Sequence, residues 1–243
     1  MQAFRGTLLS LLCGWLVLPV VKGAAMPGAE EVLQKSRAAY TALKSYEDKG
    51  SVEAEFGQSG SQVRERHSFK TAYKAPRQYL FDFTKAGGAD RYVAWSDGET
   101  FHSWWKATGQ QQDFPKGQGA NAFIFGSSPT LNAIVQIAPL LFPNAGLSGP
   151  IVDFGDAVNA GTEPIDGHDC YKLTGTAHAV YKATGHVTDS RPMTVWIDVK
   201  TMLIRKVFED RSQGNLLNRS TTKFEPNANP ELDEQLFRFS APK

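Results

Sequence analysis

Three residue types that could do chemistry stand side by side at His168-Asp169-Cys170. Imidazole, carboxylate and thiolate groups all bind zinc, and alternation along a strand would place His168 and Cys170 on one face. Zinc sites usually show paired spacings such as Cys-x-x-Cys or His-x-x-x-His, however, and the sequence contains neither. The preceding Asp166-Gly167 is typical of a turn that leads into a strand. The pattern therefore favours a turn followed by a buried cysteine over a metal site.

Signatures of catalysis and of phosphate binding are missing from the sequence. There is no Gly-x-Ser-x-Gly nucleophile elbow, and Gly126-Ser127-Ser128-Pro129 has the composition of a helix cap. Gly87-Gly88 precedes a strand pattern instead of a helix, so it does not predict a phosphate loop. Asp198 follows two apolar residues, and we expect this carboxylate to begin a tight turn. We therefore predict no catalytic residue, no metal, no cofactor and no enzymatic activity.

The N-terminus has the three parts of a secretory signal peptide. Arg5 supplies a positive charge, residues 8–21 form an apolar run, and small residues follow at Gly23-Ala24-Ala25. The run is shorter than the roughly 20 residues that a membrane span needs, and an uncleaved anchor is the alternative. Cys13 lies inside the run, so lipidation is not expected. We predict that residues 1–25 are removed on export and that residues 26–243 form a single periplasmic domain without a stable membrane span.

Charge and cysteine content exclude several classes of protein. The formal net charge is +1, and loss of Arg5 and Lys22 with the signal peptide would leave 24 basic against 25 acidic residues. A near-neutral surface argues against binding to nucleic acid, which depends on neutralising phosphates. The remaining Cys170 has no second cysteine to pair with, so the stability of the exported protein must come from its hydrophobic core.

The hydropathy pattern predicts two helices among many strands. Apolar residues at helical spacing predict an amphipathic helix over residues 29–46. Asp97-Gly98 predicts a hairpin, and the composition of residues 106–119 predicts a loop. Ser127-Ser128-Pro129 predicts the start of an uncharged helix over residues 130–142, which Pro139 ends or kinks. Beyond Pro150 the pattern predicts strands at residues 151–154, 169–176, 193–199, 202–210, 216–224 and 235–240, with a tight turn at Lys200-Thr201.

These elements predict an α+β fold. Most strands alternate polar with apolar residues, as expected for antiparallel sheets with one wet face and one covered face. About ten or eleven strands with two helices predict one strongly curved antiparallel sheet, an open half-barrel whose concave face is covered by helices. The uncharged helix over residues 130–142 must be buried or face an apolar ligand.

Aromatic and aliphatic residues are the strongest candidates for a functional site. They crowd the first two-thirds of the chain and offer more apolar surface than a flat two-layer packing needs. A pocket lined by such groups is the expected form of a lipid site. We predict that a cavity for acyl chains is lined by Leu131, Ile134, Val135, Ile137, Leu141, Phe81, Trp95 and Trp104.

Several short motifs, in a shared order, resemble a known superfamily. Leu43-Lys44-Ser45-Tyr46 precedes the first strand, Tyr73-Lys74-Ala75-Pro76 enters an aromatic strand, and Ser96-Asp97-Gly98-Glu99-Thr100 forms the hairpin. Trp196-Ile197-Asp198 and the terminal segment from Leu236 to Pro242 follow. Together they resemble the periplasmic lipoprotein carrier LolA and its relatives, which include LolB-like proteins, the sensor domain of RseB and outer-membrane lipoprotein-sorting proteins.

The resemblance implies an open half-barrel that binds acyl chains on its concave side beneath helical lids. One position departs from the pattern, because carriers similar to LolA have an arginine immediately before the proline where this sequence has Ala75. The gating role of that arginine is therefore not carried over. We expect a periplasmic carrier or binding protein for lipid or for the acyl chains of lipoproteins. The alternative is an envelope sensor or scaffold of the same fold that binds another protein.

Overall fold

The computed structural model describes residues 26–58, 60–115, 117–145, 147, 149, 151–181 and 186–242. The predicted signal peptide, residues 1–25 with Cys13, lies outside the described residues. The described residues form three α-helices: α1 (Ala29–Thr41), α2 (Ala120–Ser127) and α3 (Ile134–Leu141). Short 3-10 helices occupy Ala86–Gly88, Pro143–Ala145 and Glu234–Phe237. None of the helices in the described part of the chain is long and apolar enough to cross a membrane.

In the described part of the chain, twelve strands build one antiparallel sheet, which confirms the predicted α+β class and an open, curved sheet. The strands are β1 (Ser45–Gln58), β2 (Ser61–Lys74), β3 (Gln78–Lys85), β4 (Arg91–Asp97), β5 (Phe101–Trp105), β6 (Gln110–Phe114), β7 (Phe154–Ile165), β8 (His168–Tyr181), β9 (His186–Asp198), β10 (Ile204–Asp210), β11 (Leu216–Phe224) and β12 (Asn227–Ala228).

The order of the strands explains where the helices lie. It runs β6-β5-β4-β3-β2-β1-β11-β10-β9-β8-β7, with the short β12 paired to β1. The chain therefore has to pass from edge strand β6 to the opposite edge strand β7, and it does so through α2 and α3. Both helices pack with α1 on one face, where a single hydrophobic cluster joins helix residues such as Leu33 and Ile137 to strand residues such as Phe81 and Val195. This helix-covered face is called the inner face below.

Side-chain alternation assigns each strand residue to one face. Tyr79, Phe81 and Phe83 on β3 lie on the inner face and are almost fully buried. The outer face is largely solvated, apart from two small clusters. Val93, Trp95 and Trp104 form the first, against which Phe239 packs, and Ile165, Cys170 and Trp196 form the second. The C-terminal segment thus covers part of the face that the helices leave open.

The predicted tight turns are confirmed. Asp97 Oδ1 accepts the backbone N–H of Glu99 at 2.9 Å between β4 and β5. Asp198 Oδ1 accepts the N–H groups of Lys200 and Thr201 at 2.9 and 3.0 Å, so this carboxylate does begin a turn. Such local side-chain bonds are why aspartate marks turns in the sequence.

The boundaries of the two predicted helices are wrong. α1 ends at Thr41 instead of residue 46, because Tyr46 pairs with Tyr73 of β2 and Ala228 of β12. The region predicted as one helix over residues 130–142 contains only α3, which continues through Pro139 to Leu141. Ser127 does not cap that helix: it is the last residue of α2, and its hydroxyl donates to the carbonyl of Ile124.

Both edge strands differ from the prediction. Residues 110–114, predicted as loop, form β6, and the predicted strand at residues 151–154 is replaced by the longer β7. Each is a polar strand with little burial, because an edge strand buries fewer of its side chains. The alternation of polar and apolar residues that marks inner strands is therefore weak in both. The predicted terminal strand at residues 235–240 is instead a 3-10 helix followed by an irregular segment.

Candidate ligand-binding cavity

An open cavity of about 660 Å³ lies at one end of the inner face. Three parts of the chain that are distant in sequence meet there: the end of α1, the β2–β3 turn, and the helix pair α2–α3 with the 3-10 helix after it. Its described lining residues are mostly apolar: Thr41, Leu43, Tyr73, Ala75, Pro76, Arg77, Phe101, Gly117, Gly119, Ala120, Phe123, Leu141, Phe142, Pro143, Asn144 and Ala145. A volume of this size falls within the range of about 300–1,000 Å³ that is common for small-molecule sites.

Aromatic rings form the floor of the cavity. Phe142, directly after α3, stands edge-on to Tyr73 at 5.2 Å and to Phe101 at 5.5 Å between ring centroids. Phe123 of α2 lies 5.6 Å from Phe142 and 5.5 Å from Phe101. Edge-to-face contacts at these distances are favourable and hold the rings in fixed orientations. The floor is therefore a rigid apolar surface contributed by β2, β5, α2 and the end of α3.

A close approach between α2 and β4 sets the position of the helix that carries Phe123. A Cβ atom at Gly126 would lie only 2.7 Å from the ring of Tyr92, so the absence of a side chain allows the contact. The Tyr92 hydroxyl donates to the carbonyl of Ala122 at 2.8 Å. Burial raises the pKa of Tyr92 to about 12, so the hydroxyl keeps its proton. Together these contacts anchor one wall of the cavity to the sheet.

The only charged residue among the described lining residues is Arg77, in the β2–β3 turn. Its guanidinium carbon lies 6.0 Å from the centroid of the Phe101 ring. One guanidinium nitrogen donates to the backbone carbonyl of Glu99 at 3.4 Å, a long hydrogen bond. The cavity thus combines an aromatic floor with one cation at its side.

Side chains fill the rest of the inner face beneath α3. The helix buries Ile134, Ile137 and Leu141 to 3% exposure or less, and they join the core cluster with Phe81 of β3. Of these four predicted site residues, Leu141 lines the open cavity. The structure therefore brings these four together, with the open space at one end of α3 and not along its length.

The remaining predicted site residues are distributed differently. Leu131 and Val135 are half-buried against the core, and Leu131 belongs to the turn between α2 and α3 with a φ of 52°. Trp95 and Trp104 lie on the outer face, where Phe239 contacts them at ring-centroid distances of 4.9 and 5.9 Å. The sheet separates these two tryptophans from Phe81, so the eight predicted residues do not form one surface.

Four aromatic residues that line the cavity, Tyr73, Phe101, Phe123 and Phe142, were not among the predicted lining residues. All four lie in apolar segments, but nothing in the local pattern separates an aromatic residue at a cavity from one in a filled core. The signal that could have found the place is the Tyr-x-Ala-Pro turn at residues 73–76, which enters the strand of inner aromatic residues. Ala75 and Pro76 of that turn do line the cavity.

Two carboxylates of the described residues, Asp48 and Glu209, are buried under the helix layer. Asp48 of β1 is 1% exposed, and its Oδ2 accepts the hydroxyl of Tyr46 at 2.7 Å. Desolvation raises the pKa of Asp48 to about 7, against the opposing effect of the hydrogen bond from Tyr46. Glu209 of β10 accepts the side chains of Gln136 and Arg191, both at 2.7 Å. The bond from Gln136 ties α3 to the sheet through a buried carboxylate.

The segment His168-Asp169-Cys170 begins strand β8 of the hairpin formed with β7. Asp166-Gly167 is the turn between β7 and β8, and Cys170 is fully buried. Burial raises the pKa of the Cys170 thiol to about 11, which keeps it protonated and unreactive. His168 contacts Asp198 at 3.1 Å, close to Arg205. Within the described residues, no three His, Cys, Asp or Glu side chains are grouped so that they could hold a metal ion.

Comparison with known proteins gives one family match. A family model described as LppX_LprAFG lipoprotein matches residues 126–227, which is less than half of the chain. No curated protein matches the sequence. The match covers α3 and strands β7 to β11, and it agrees with the resemblance to LolA-like proteins that the motifs indicated.

Solved structures with a similar arrangement include three bacterial proteins. The lipoprotein LppX of Mycobacterium tuberculosis is 16% identical, with 84% of this chain and 98% of that chain covered and a TM-score of 0.46. A LolA superfamily protein from Nitrosomonas europaea is 11% identical, with coverage of 88% and 99% and a TM-score of 0.36. A chain of the MucA/MucB complex of Pseudomonas aeruginosa is 16% identical, with coverage of 86% and 60% and a TM-score of 0.42. All three TM-scores are below 0.5, so these similarities do not by themselves assign a function.

Proposed function

We propose that this protein is a periplasmic binding protein and carrier for a lipid, or for the acyl chains of a lipoprotein. The observation that carries the proposal is the cavity of about 660 Å³ with its floor of aromatic rings. An acyl chain would lie against Tyr73, Phe101, Phe123 and Phe142, with Leu141 beside it. The match to a lipoprotein family model over residues 126–227 supports the same ligand class.

Apolar burial is sufficient to hold such a ligand. Each methylene group removed from water contributes about 0.8 kcal/mol, which is roughly a fourfold gain in affinity. A rigid, preformed floor lowers the entropic cost of binding, because the edge-to-face rings do not have to be ordered by the ligand. In this proposal Ile134, Ile137 and Phe81 form the packed layer behind the cavity. Trp95 and Trp104 do not contact the ligand, because they pack on the outer face.

A variant that fills the cavity tests the proposal. Ala75 is exposed at the mouth, so Ala75→Trp should place a large ring in the opening without disturbing the core. Ala89 is also exposed, but it lies at the other end of β3, and Ala89→Trp is the matched control. The protein would be delipidated, incubated with vesicles of envelope phospholipids, and analysed by native mass spectrometry.

We expect the wild type and Ala89→Trp to retain lipid and Ala75→Trp to lose most of it. Circular dichroism should show the same fold in all three proteins. If the delipidated wild type takes up no lipid, the proposed function is wrong. If Ala75→Trp retains as much lipid as the control, the ligand does not occupy this cavity.

A second candidate function is the binding of another envelope protein, and one observation favours it. Ile124 and Phe125 of α2 are 60% and 56% exposed, although both are large hydrophobic residues. Adjacent exposed apolar side chains on a helix are a common feature of protein contact sites. A double Ile124→Ser and Phe125→Ser variant should then lose a stoichiometric protein partner recovered by cross-linking, while its uptake of lipid stays unchanged.

A further inference from the structure

The side of the cavity carries a cation whose surroundings differ from those of most other arginines in the protein. Arg91 binds Asp82 through two nitrogens at 2.6 and 2.8 Å, and Arg219 binds Asp210 at 2.9 Å. Arg77 has no carboxylate within ion-pair distance among the described residues. Its one hydrogen bond to a protein acceptor in the described part of the chain is the long contact with the carbonyl of Glu99.

This arrangement leaves most of the donors of Arg77 available at an apolar surface. A guanidinium group has five N–H donors in a planar fork, and one long hydrogen bond uses only one of them. The ring of Phe101 lies 6.0 Å from the guanidinium carbon, so apolar surface borders the cation on that side. A cation beside apolar walls attracts an anion more strongly than one surrounded by water, since the local dielectric is lower.

We propose that Arg77 binds the anionic headgroup of a single-chain amphiphile whose apolar chain lies on the aromatic floor. The inference rests on the proposed function and specifies its ligand: a fatty acid or a lipid with a terminal carboxylate or phosphate. Both groups offer paired oxygens that match the guanidinium fork. An uncharged lipid of the same length would fill the cavity equally well but leave Arg77 without its partner.

The experiment compares two probes with the same chain. Palmitate and cetyl alcohol differ at the headgroup, and at pH 8 the carboxylic acid is ionised while the alcohol is neutral. Binding of each to the delipidated protein would be measured by displacement of a fluorescent acyl probe. Hexadecyl phosphate, measured in parallel, distinguishes a preference for phosphate from one for carboxylate.

Three variants separate the role of Arg77 from a general effect of charge. Arg77→Gln removes the cation, and Arg77→Lys keeps a charge without the planar fork. Arg64→Gln is the matched control, because Arg64 lies near the other end of β2, with 75% of its side chain exposed, in an ion pair with Glu55. A charge-assisted hydrogen bond at a partly exposed site is worth roughly tenfold in affinity.

We expect the wild type to bind the anionic probes roughly tenfold more tightly than cetyl alcohol. Arg77→Gln should lose that preference while its affinity for the alcohol stays within about twofold, Arg77→Lys should keep part of it, and Arg64→Gln should keep all of it. Equal binding of the charged and uncharged probes by the wild type, or an unchanged preference in Arg77→Gln, would overturn the inference but leave the proposed function intact. Failure of every probe to bind would overturn both.

Discussion

Replacement of Asp48 by Asn should stabilise the protein at neutral and alkaline pH. Asp48 is 1% exposed under the helix layer, where burial raises its pKa from 3.8 to about 7. The folded state therefore binds a proton that the unfolded chain releases at lower pH. The contribution of Asp48 to stability is therefore largest below pH 4. It falls as the pH rises towards 7 and is constant above pH 7. Asn at this position stays neutral at every pH and can still accept the hydroxyl of Tyr46 through its side-chain oxygen.

The size of the effect follows from the pKa of the folded state. Each pH unit between about 4 and 7 changes the free energy of unfolding by about 1.4 kcal/mol, so the full effect is on the order of 4 kcal/mol. The difference in unfolding free energy between Asp48→Asn and the wild type should thus be larger at pH 8 than at pH 4.5 by about 3 kcal/mol.

Urea unfolding followed by tryptophan fluorescence at several pH values would measure this difference. Other carboxylates titrate in both proteins, and their contribution cancels when the two curves are subtracted. Asp169→Asn is the matched control for loss of a carboxylate, because Asp169 is exposed. A flat difference curve for Asp48→Asn would refute the reasoning, since it would mean that the carboxylate is not desolvated in the folded state.

Three further substitutions test contacts that hold the helix layer and the sheet. Gly126→Ala should destabilise the protein by about 1 kcal/mol or more, because overpacking against Tyr92 outweighs the gain in helix propensity. Glu209→Ala should cost about 3–5 kcal/mol in unfolding free energy, because it breaks the buried ion pair with Arg191 and the hydrogen bond from Gln136. Asp198→Ala should cost about 2 kcal/mol through loss of the turn hydrogen bonds. Thermal and urea unfolding measure all three.

The opposite result is informative in each case. A stabilised Gly126→Ala would show that propensity, at most about 1 kcal/mol, exceeds the cost of the contact. Glu209→Gln should recover little of the stability lost in Glu209→Ala, since it also lacks the negative charge. A loss below about 1 kcal/mol in Glu209→Ala would mean that the ion pair is not buried. Asp198→Asn keeps an acceptor oxygen and should recover part of the lost stability, whereas equal losses in Asp198→Ala and Asp198→Asn would contradict the role of the turn bonds.

Local patterns predicted the inner strands and the turns well, and the edges poorly. Asp97-Gly98 and Asp198 mark turns by bonds to their own neighbouring backbone, which depend on nothing distant. Strand β6 has the sequence of a loop, because at an edge of the sheet only Phe114 has to be buried. The helix α1 ends at Thr41, before Tyr46 pairs with Tyr73 of β2. The helical periodicity of the sequence does not reveal this pairing, because it depends on a distant segment.

The sequence predicted an apolar layer beneath the helices but not where that layer leaves an open cavity. An uncharged helix over a curved sheet correctly predicted a buried apolar layer, and Leu141 does reach the cavity. Alternation within each strand did not show that Trp95 and Phe81 lie on opposite faces of the sheet. That choice depends on the register between β3 and β4, where Trp95 pairs with Leu80 and not with an inner residue.

The sequence by itself determined the class of the fold, since one-sided alternation and Asp-Gly turns commit a chain to antiparallel strands with one covered face. It also indicated that aromatic residues and an uncharged helix would supply apolar groups to that face. Only the tertiary structure decided where that face stays open and that Arg77 stands at the opening. The physical reason is that a cavity is the space left by several packed segments, here α1, the β2–β3 turn and the α2–α3 pair, so its position is a property of how they meet.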